Sequence, residues 1–119
     1  MAYDPFDVKW RAQDPLGRDV VMLKSVEHAR TIQGKHPDPP ESLAAEDARD
    51  VVSCPSRIDA SASNPNRDVY YKVEKEQANP YSRVVVDFGD DPNVGVAISW
   101  SRYGTPVASS GVKWREERT

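Results

Sequence analysis

Two histidines, His28 and His36, are the only imidazoles in this 119-residue chain, and both fall between Ser25 and Asp38. Histidine is the side chain best suited to moving protons near neutral pH. A spacing of eight sets two side chains roughly 80° apart around a helix axis, on the same broad side but not stacked. For each taken alone, a surface or hydrogen-bond-satisfied histidine is the commoner reading. The i, i+4 histidine pair of a zinc helix is missing, and neither Cys54 nor any paired carboxylate has metal-ligand spacing. Asp90-Asp91 reads as solvated turn charge. There is no phosphate-cradling glycine loop, no Gly-x-Ser-x-Gly elbow and no zinc-deaminase signature, so no cofactor and no metal are expected. The remaining parts are His28, His36, Arg57, Arg67, Lys72 and Arg102, with hydroxyls from Ser99, Tyr70 and Tyr71. That set suits RNA cleavage through the ribose 2′-OH. One group would remove the proton, another would protonate the leaving oxygen, and a cation would stabilise the phosphorane.

These residues depend on the elements that carry them. Ser25 is the expected N-cap of a first helix, with Glu27 in its first turn, and Pro37 ends that helix at His36. After Pro37-Asp38-Pro39-Pro40, a second helix is predicted from Ser42 or Leu43 to Ser53, with Leu43, Ala44, Ala48, Val51 and Val52 as its apolar stripe. Ahead of the helices, Phe6 to Arg11 and Arg18 to Leu23 suggest a short hairpin around Asp14-Pro15-Leu16-Gly17. The second half reads as strands: Arg57 to Ala60, Arg67 to Glu76, Tyr81 to Phe88 and Val94 to Ser101, with Gly111 to Trp114 as a last strand or arm. From Val94 to Ser101 large and small residues alternate strictly, which predicts a small-residue face (Gly95, Ala97, Ser99, Ser101) with room for a ligand or a close neighbour. The expected fold is α+β. Two N-terminal helices pack on an antiparallel sheet of about four strands, with a short N-terminal hairpin.

Length and composition fit one domain over 1–119, with its core at 7–102 and a C-terminal arm at 103–119. The lone Cys54 has no partner for a disulfide, and it reads as packed or incidental. No long apolar run predicts a membrane span, and the first residues lack signal-peptide character, so a cytoplasmic setting is expected. A net charge of −3 argues against tight non-specific nucleic-acid binding, while leaving room for a local basic cleft.

The order of motifs resembles the small PBECR-type domains of phage and mobile elements, grouped with barnase, EndoU, colicin D and RelE as one nuclease-like fold. The resemblance runs from Asp14-Pro15-Leu16-Gly17-Arg18-Asp19-Val20 through His28 and Lys35-His36-Pro37-Asp38. It continues through Cys54-Pro55-Ser56-Arg57-Ile58, Arg67-Asp68-Val69-Tyr70-Tyr71-Lys72 and Arg83-Val84-Val85-Val86-Asp87 to Val96-Ala97-Ile98-Ser99-Trp100. The chain departs from the family pattern at Asp38, usually glutamate, and at Ser99-Trp100-Ser101, usually Thr-Ala-Tyr. The resemblance implies a metal-independent endoribonuclease of toxin or phage-effector type. His28, His36, Arg67, Lys72 and Ser99 would be its site. RNA (tRNA included) would be the substrate, and an antitoxin or immunity protein the partner. The competing expectation is a non-catalytic phage or mobile-element protein-interaction module of the same fold, with a homodimer through an edge strand as one form.

Overall fold

Side chains that alternate along seven extended segments build one mixed sheet, seen in a computed structural model that describes residues 3–33, 43–74, 80–89, 91–104 and 109–116. A 3-10 turn (Pro5–Asp7) leads into β1 (Val8–Gln13) and β2 (Asp19–Leu23), followed by α1 (Lys24–Gln33) and α2 (Ala45–Ser53). Then come β3 (Arg57–Ser61), β4 (Arg67–Val73), β5 (Tyr81–Asp87), β6 (Val94–Tyr103) and β7 (Ser109–Arg115). The spatial order is β1-β2-β6-β5-β4-β3-β7. All neighbours are antiparallel except β2 and β6, which run parallel through Asp19↔Val94 to Val21↔Val96.

This corrects the expected antiparallel sheet of about four strands. The N-terminal hairpin is not an appendage: it joins the main sheet through β2 and β6, and the C-terminal arm closes the far side as β7. Both helices are short. Helix α2 buries Ala45, Ala48, Val51 and Val52; of the predicted stripe Leu43, Ala48, Val51 and Val52 are buried, whereas Ala44 is exposed and Ala45 takes its place. The buried residues meet Trp10, Val20, Met22, Ile58, Tyr70, Val84, Val86 and Trp100 on one face of the sheet. The Trp10 indole N–H donates to the Ala45 carbonyl at 2.8 Å, so a buried polar group at the helix start is satisfied by a strand side chain.

Two local expectations shift because partners arrive from elsewhere in the chain. Ser25 lies inside α1 rather than at its cap. Asp7 serves instead, its carboxylate accepting from the Ser25 backbone N–H at 3.2 Å and from the Ser25 hydroxyl. Helix α2 begins at Ala45, with Glu46 and Asp47 in its first turn, where negative charge opposes the helix dipole.

The strict alternation of β6 is also interrupted. Val85 pairs with Ser99 but Val86 pairs with Ala97, which leaves Ile98 as the extra residue of a β-bulge. The predicted small-residue face is therefore split. Gly95 and Ala97 turn toward the helices, and Ser99 and Ser101 toward the other face. Gly95 is required on the helix side, because a Cβ there would lie 2.5 Å from a Val86 methyl and 2.8 Å from the Phe88 ring.

Candidate binding face

The face of β3 to β7 opposite the helices carries a cross-strand row read directly from the register: Arg115↔Arg57↔Tyr71↔Arg83↔Ser101. Beside it lies Val73↔Tyr81↔Tyr103, and on its other side Val69↔Val85↔Ser99. Residues directly opposite on neighbouring strands touch and diagonal neighbours lie within reach of long side chains, so cations and rings stack both within a row and between adjacent rows. The Arg57 guanidinium lies 5.1 Å from the Tyr71 ring centre, and that of Arg83 lies 3.3 Å from the Tyr103 centre. Tyr71 in turn meets Tyr81 edge to face at 6.4 Å.

The arginines differ in charge balance. Arg57 Nε lies 2.9 Å from buried Asp59, and Arg67 Nε donates to Asp87 at 3.3 Å. Among the described residues Arg83 has no such carboxylate beside it, and its Nη1, like the Arg57 Nε, is buried without a hydrogen-bond partner. Arg57, Arg67, Arg83 and Arg115 thus stand against Asp59 and Asp87, with Glu116 at the margin. The face is locally cationic on a chain of net charge −3. Two hollows sit on it. One, of about 450 Å³, is lined by Ser56, Arg57, Tyr71, Tyr81 and Arg115. The other, of about 440 Å³, has Val69, Val85 and Ile98 as apolar lining and Arg67, Arg83 and Ser99 as polar lining, with Ser61 from the end of β3 and Ser63 from the connection after it.

Of the residues expected to form one site, Arg67 and Ser99 do come together in that second hollow. Lys72 does not. It follows Asp68 and Tyr70 in the alternation of β4 and faces the helix side. His28 is exposed on α1, in a shallow depression with Lys9, Lys24, Ser25 and Glu27. His36 lies outside the described residues. Arg102 is paired with Glu74 at 2.9 Å. Cys54, expected to be packed or incidental, is exposed at the end of α2.

Tyr70 belongs to a buried network instead. Its hydroxyl donates to Asp14 and accepts from Arg18 at 3.0 Å, while Arg18 also reaches Asp14 at 2.9 Å and Asp68 at 2.7 Å. Lys113 of β7 completes the group at 2.7 Å from Asp68. Burial, then the bond to Asp14, pushes the Tyr70 phenol far above its ordinary range. Arg18 is held charged despite desolvation by Tyr70, Asp68 and Asp14. These groups tie the β1–β2 turn to β4 and β7, and their polar atoms are spent on one another.

Sequence reasoning missed Arg83, Tyr81, Tyr103 and Arg115. Their local signal is the alternation Tyr81-Ser82-Arg83, which sets two large polar side chains on one face. The row itself has no local signal, since it exists only through strand order. Among the described residues, no group of three or more histidine, cysteine, aspartate or glutamate side chains is placed to hold a metal ion, and no helix is long and apolar enough to cross a membrane. Comparison with known protein families, curated proteins and solved structures gives no match.

Proposed function

We propose that this chain is a non-catalytic interaction module that holds single-stranded RNA on the helix-free face of its sheet. The observation that carries the reading is the row Arg115–Arg57–Tyr71–Arg83–Ser101 with Tyr81 and Tyr103 alongside. Guanidinium groups meet phosphates bidentately and stack on planar rings, and tyrosines accept unpaired bases. A row across five strands extends about 19 Å at the usual inter-strand spacing, enough for several nucleotides of an extended strand. The resemblance of the motif order to ribonuclease-like domains selects RNA as the first polymer to try.

Binding is favoured over cleavage by the positions of the proton-transfer candidates among the described residues. Acid–base attack at a 2′-OH requires two such groups within reach of one phosphate. His28 is on α1, Lys72 faces the helices, and Arg67 and Ser99 are on the opposite face. The direct experiment mixes the purified protein with a fluorescent eight-nucleotide RNA in EDTA, following anisotropy for binding and a denaturing gel for cleavage. Saturable binding of intact RNA, weakened at least tenfold by Arg57→Gln together with Tyr81→Ala, is expected. Cleavage lost in His28→Ala would restore the nuclease and, with it, the search for an immunity partner. The absence of any binding would remove the present reading.

A further inference from the structure

We infer, building on that RNA-binding reading, that the hollow between the β3–β4 connection and Arg83 receives the phosphomonoester end of the strand rather than an internal phosphodiester. Three independent features meet there. Arg83 borders the hollow, and its guanidinium, charged at any working pH, lies over the Tyr103 ring beside it with Nη1 buried and without a hydrogen-bond partner among the described residues, so a turn of the side chain off that ring brings the donor to the hollow. A buried donor without an acceptor is costly, and an incoming anion removes that cost. The bulge at Ile98 brings two successive residues, Ile98 and Ser99, to the lining of the same hollow. Bulges recur where a strand must re-aim a side chain toward a ligand.

The third feature is the wall. Ser61, Ala62 and Ser63, from the end of β3 and the connection after it, border the hollow beside Arg67. The Ser61 hydroxyl oxygen accepts from the backbone N–H groups of Ser63 and Asn64, both at 3.3 Å, and sits 3.3 Å from the Ser63 hydroxyl. Either hydroxyl can be the donor of that contact, and where Ser61 donates, its acceptor side being occupied by the two N–H groups, the Ser63 proton is left for an incoming oxygen. A strand lying along the arginine–tyrosine row therefore meets a wall that can donate. Arg83, Arg67 and Ser63 offer donors from three sides, which suits the three terminal oxygens of a monoester near charge −2 better than a diester's two. Val69, Val85 and Ile98 supply an apolar surface for the last nucleoside.

The experiment compares one RNA sequence of eight nucleotides with a 5′-phosphate, with a 3′-phosphate and with hydroxyl at both ends, each titrated against the whole chain. One phosphorylated end is expected to tighten binding about tenfold, the worth of a charge-assisted bond. Arg83→Gln should abolish that gain, and Ser63→Ala, an exposed substitution, should reduce it. Tyr81→Ala should weaken all three RNAs alike. If Arg83→Gln fails to fold by circular dichroism, the Ser63→Ala result and the Arg83 side-chain nitrogen shift on adding inorganic phosphate decide the matter. Equal affinity for all three RNAs overturns the inference while leaving the binding face intact. No binding by any RNA overturns both.

Discussion

Tyr70 shows how one side chain can look available for chemistry and be committed to structure. Its hydroxyl donates to Asp14 and accepts from Arg18, and its ring fills the core against α2. Replacing it with phenylalanine keeps the ring but strips a buried carboxylate and a buried guanidinium of one partner each. Tyr70→Phe should therefore cost about 1–3 kcal/mol in urea unfolding at neutral pH. A distinct signature appears in alkali. The folded-state phenol is pushed far up by burial and then by Asp14, whereas the unfolded chain releases that proton near the ordinary value of about 10. The unfolded state thus binds fewer protons above that pH, and stability falls as pH rises. The contribution is fully present below about pH 10, so unfolding midpoints from pH 8 to 11 should drop more steeply for wild type than for Tyr70→Phe. Parallel curves would refute this account.

At the scale of the element, the bulge in β6 decides which face each side chain sees. Removing Ile98 would bring Ala97 next to Ser99 while leaving the pairs Val85↔Ser99 and Val86↔Ala97 in place. Deletion of Ile98 should thus preserve the fold at a cost of about 1–3 kcal/mol, with the hollow beside Ser99 altered. Deletion of Val84 in β5, which has no bulge to absorb it, should turn half that strand inside out and unfold the chain. Thermal melts of the two variants separate these outcomes. The outer strands carry their own devices. The Arg49 Nε donates to the Arg11 carbonyl at the β1 edge, and β7 bears two register shifts, Gly111 and the inward Lys113. Bulges and charges of this kind oppose edge-to-edge pairing, which works against the expected homodimer through an edge strand.

Across the whole molecule, an acidic chain presents one cationic face, so electrostatic attraction should be real but shallow. With about three phosphates neutralised, the slope of log affinity against log salt for a single strand is about −2, a roughly 20-fold loss from 50 to 200 mM salt. Arg83→Gln should bring that slope to about −1.4, and an unchanged slope would mean that Arg83 meets no phosphate. The sequence by itself determined what acts within a few residues. The apolar stripe of α2, the alternation along β4 and β5, and the turn at Asp14 all follow from local sterics, side-chain periodicity and the nearest hydrogen-bonding groups. The tertiary structure decided everything that depends on which distant segments touch. It set the parallel pairing of β2 with β6, the cap that Asp7 lends to α1, the bulge at Ile98, and the parting of Lys72 and His28 from Arg67 and Ser99. Those outcomes are fixed by burying one continuous core under α2, a condition no short stretch can express. His28, which stood out in the sequence, is not among the residues the fold gathers on the cationic face. The fold gathers arginines and tyrosines from β3, β4, β5, β6 and β7, far apart in the chain and adjacent only once the strands are ordered.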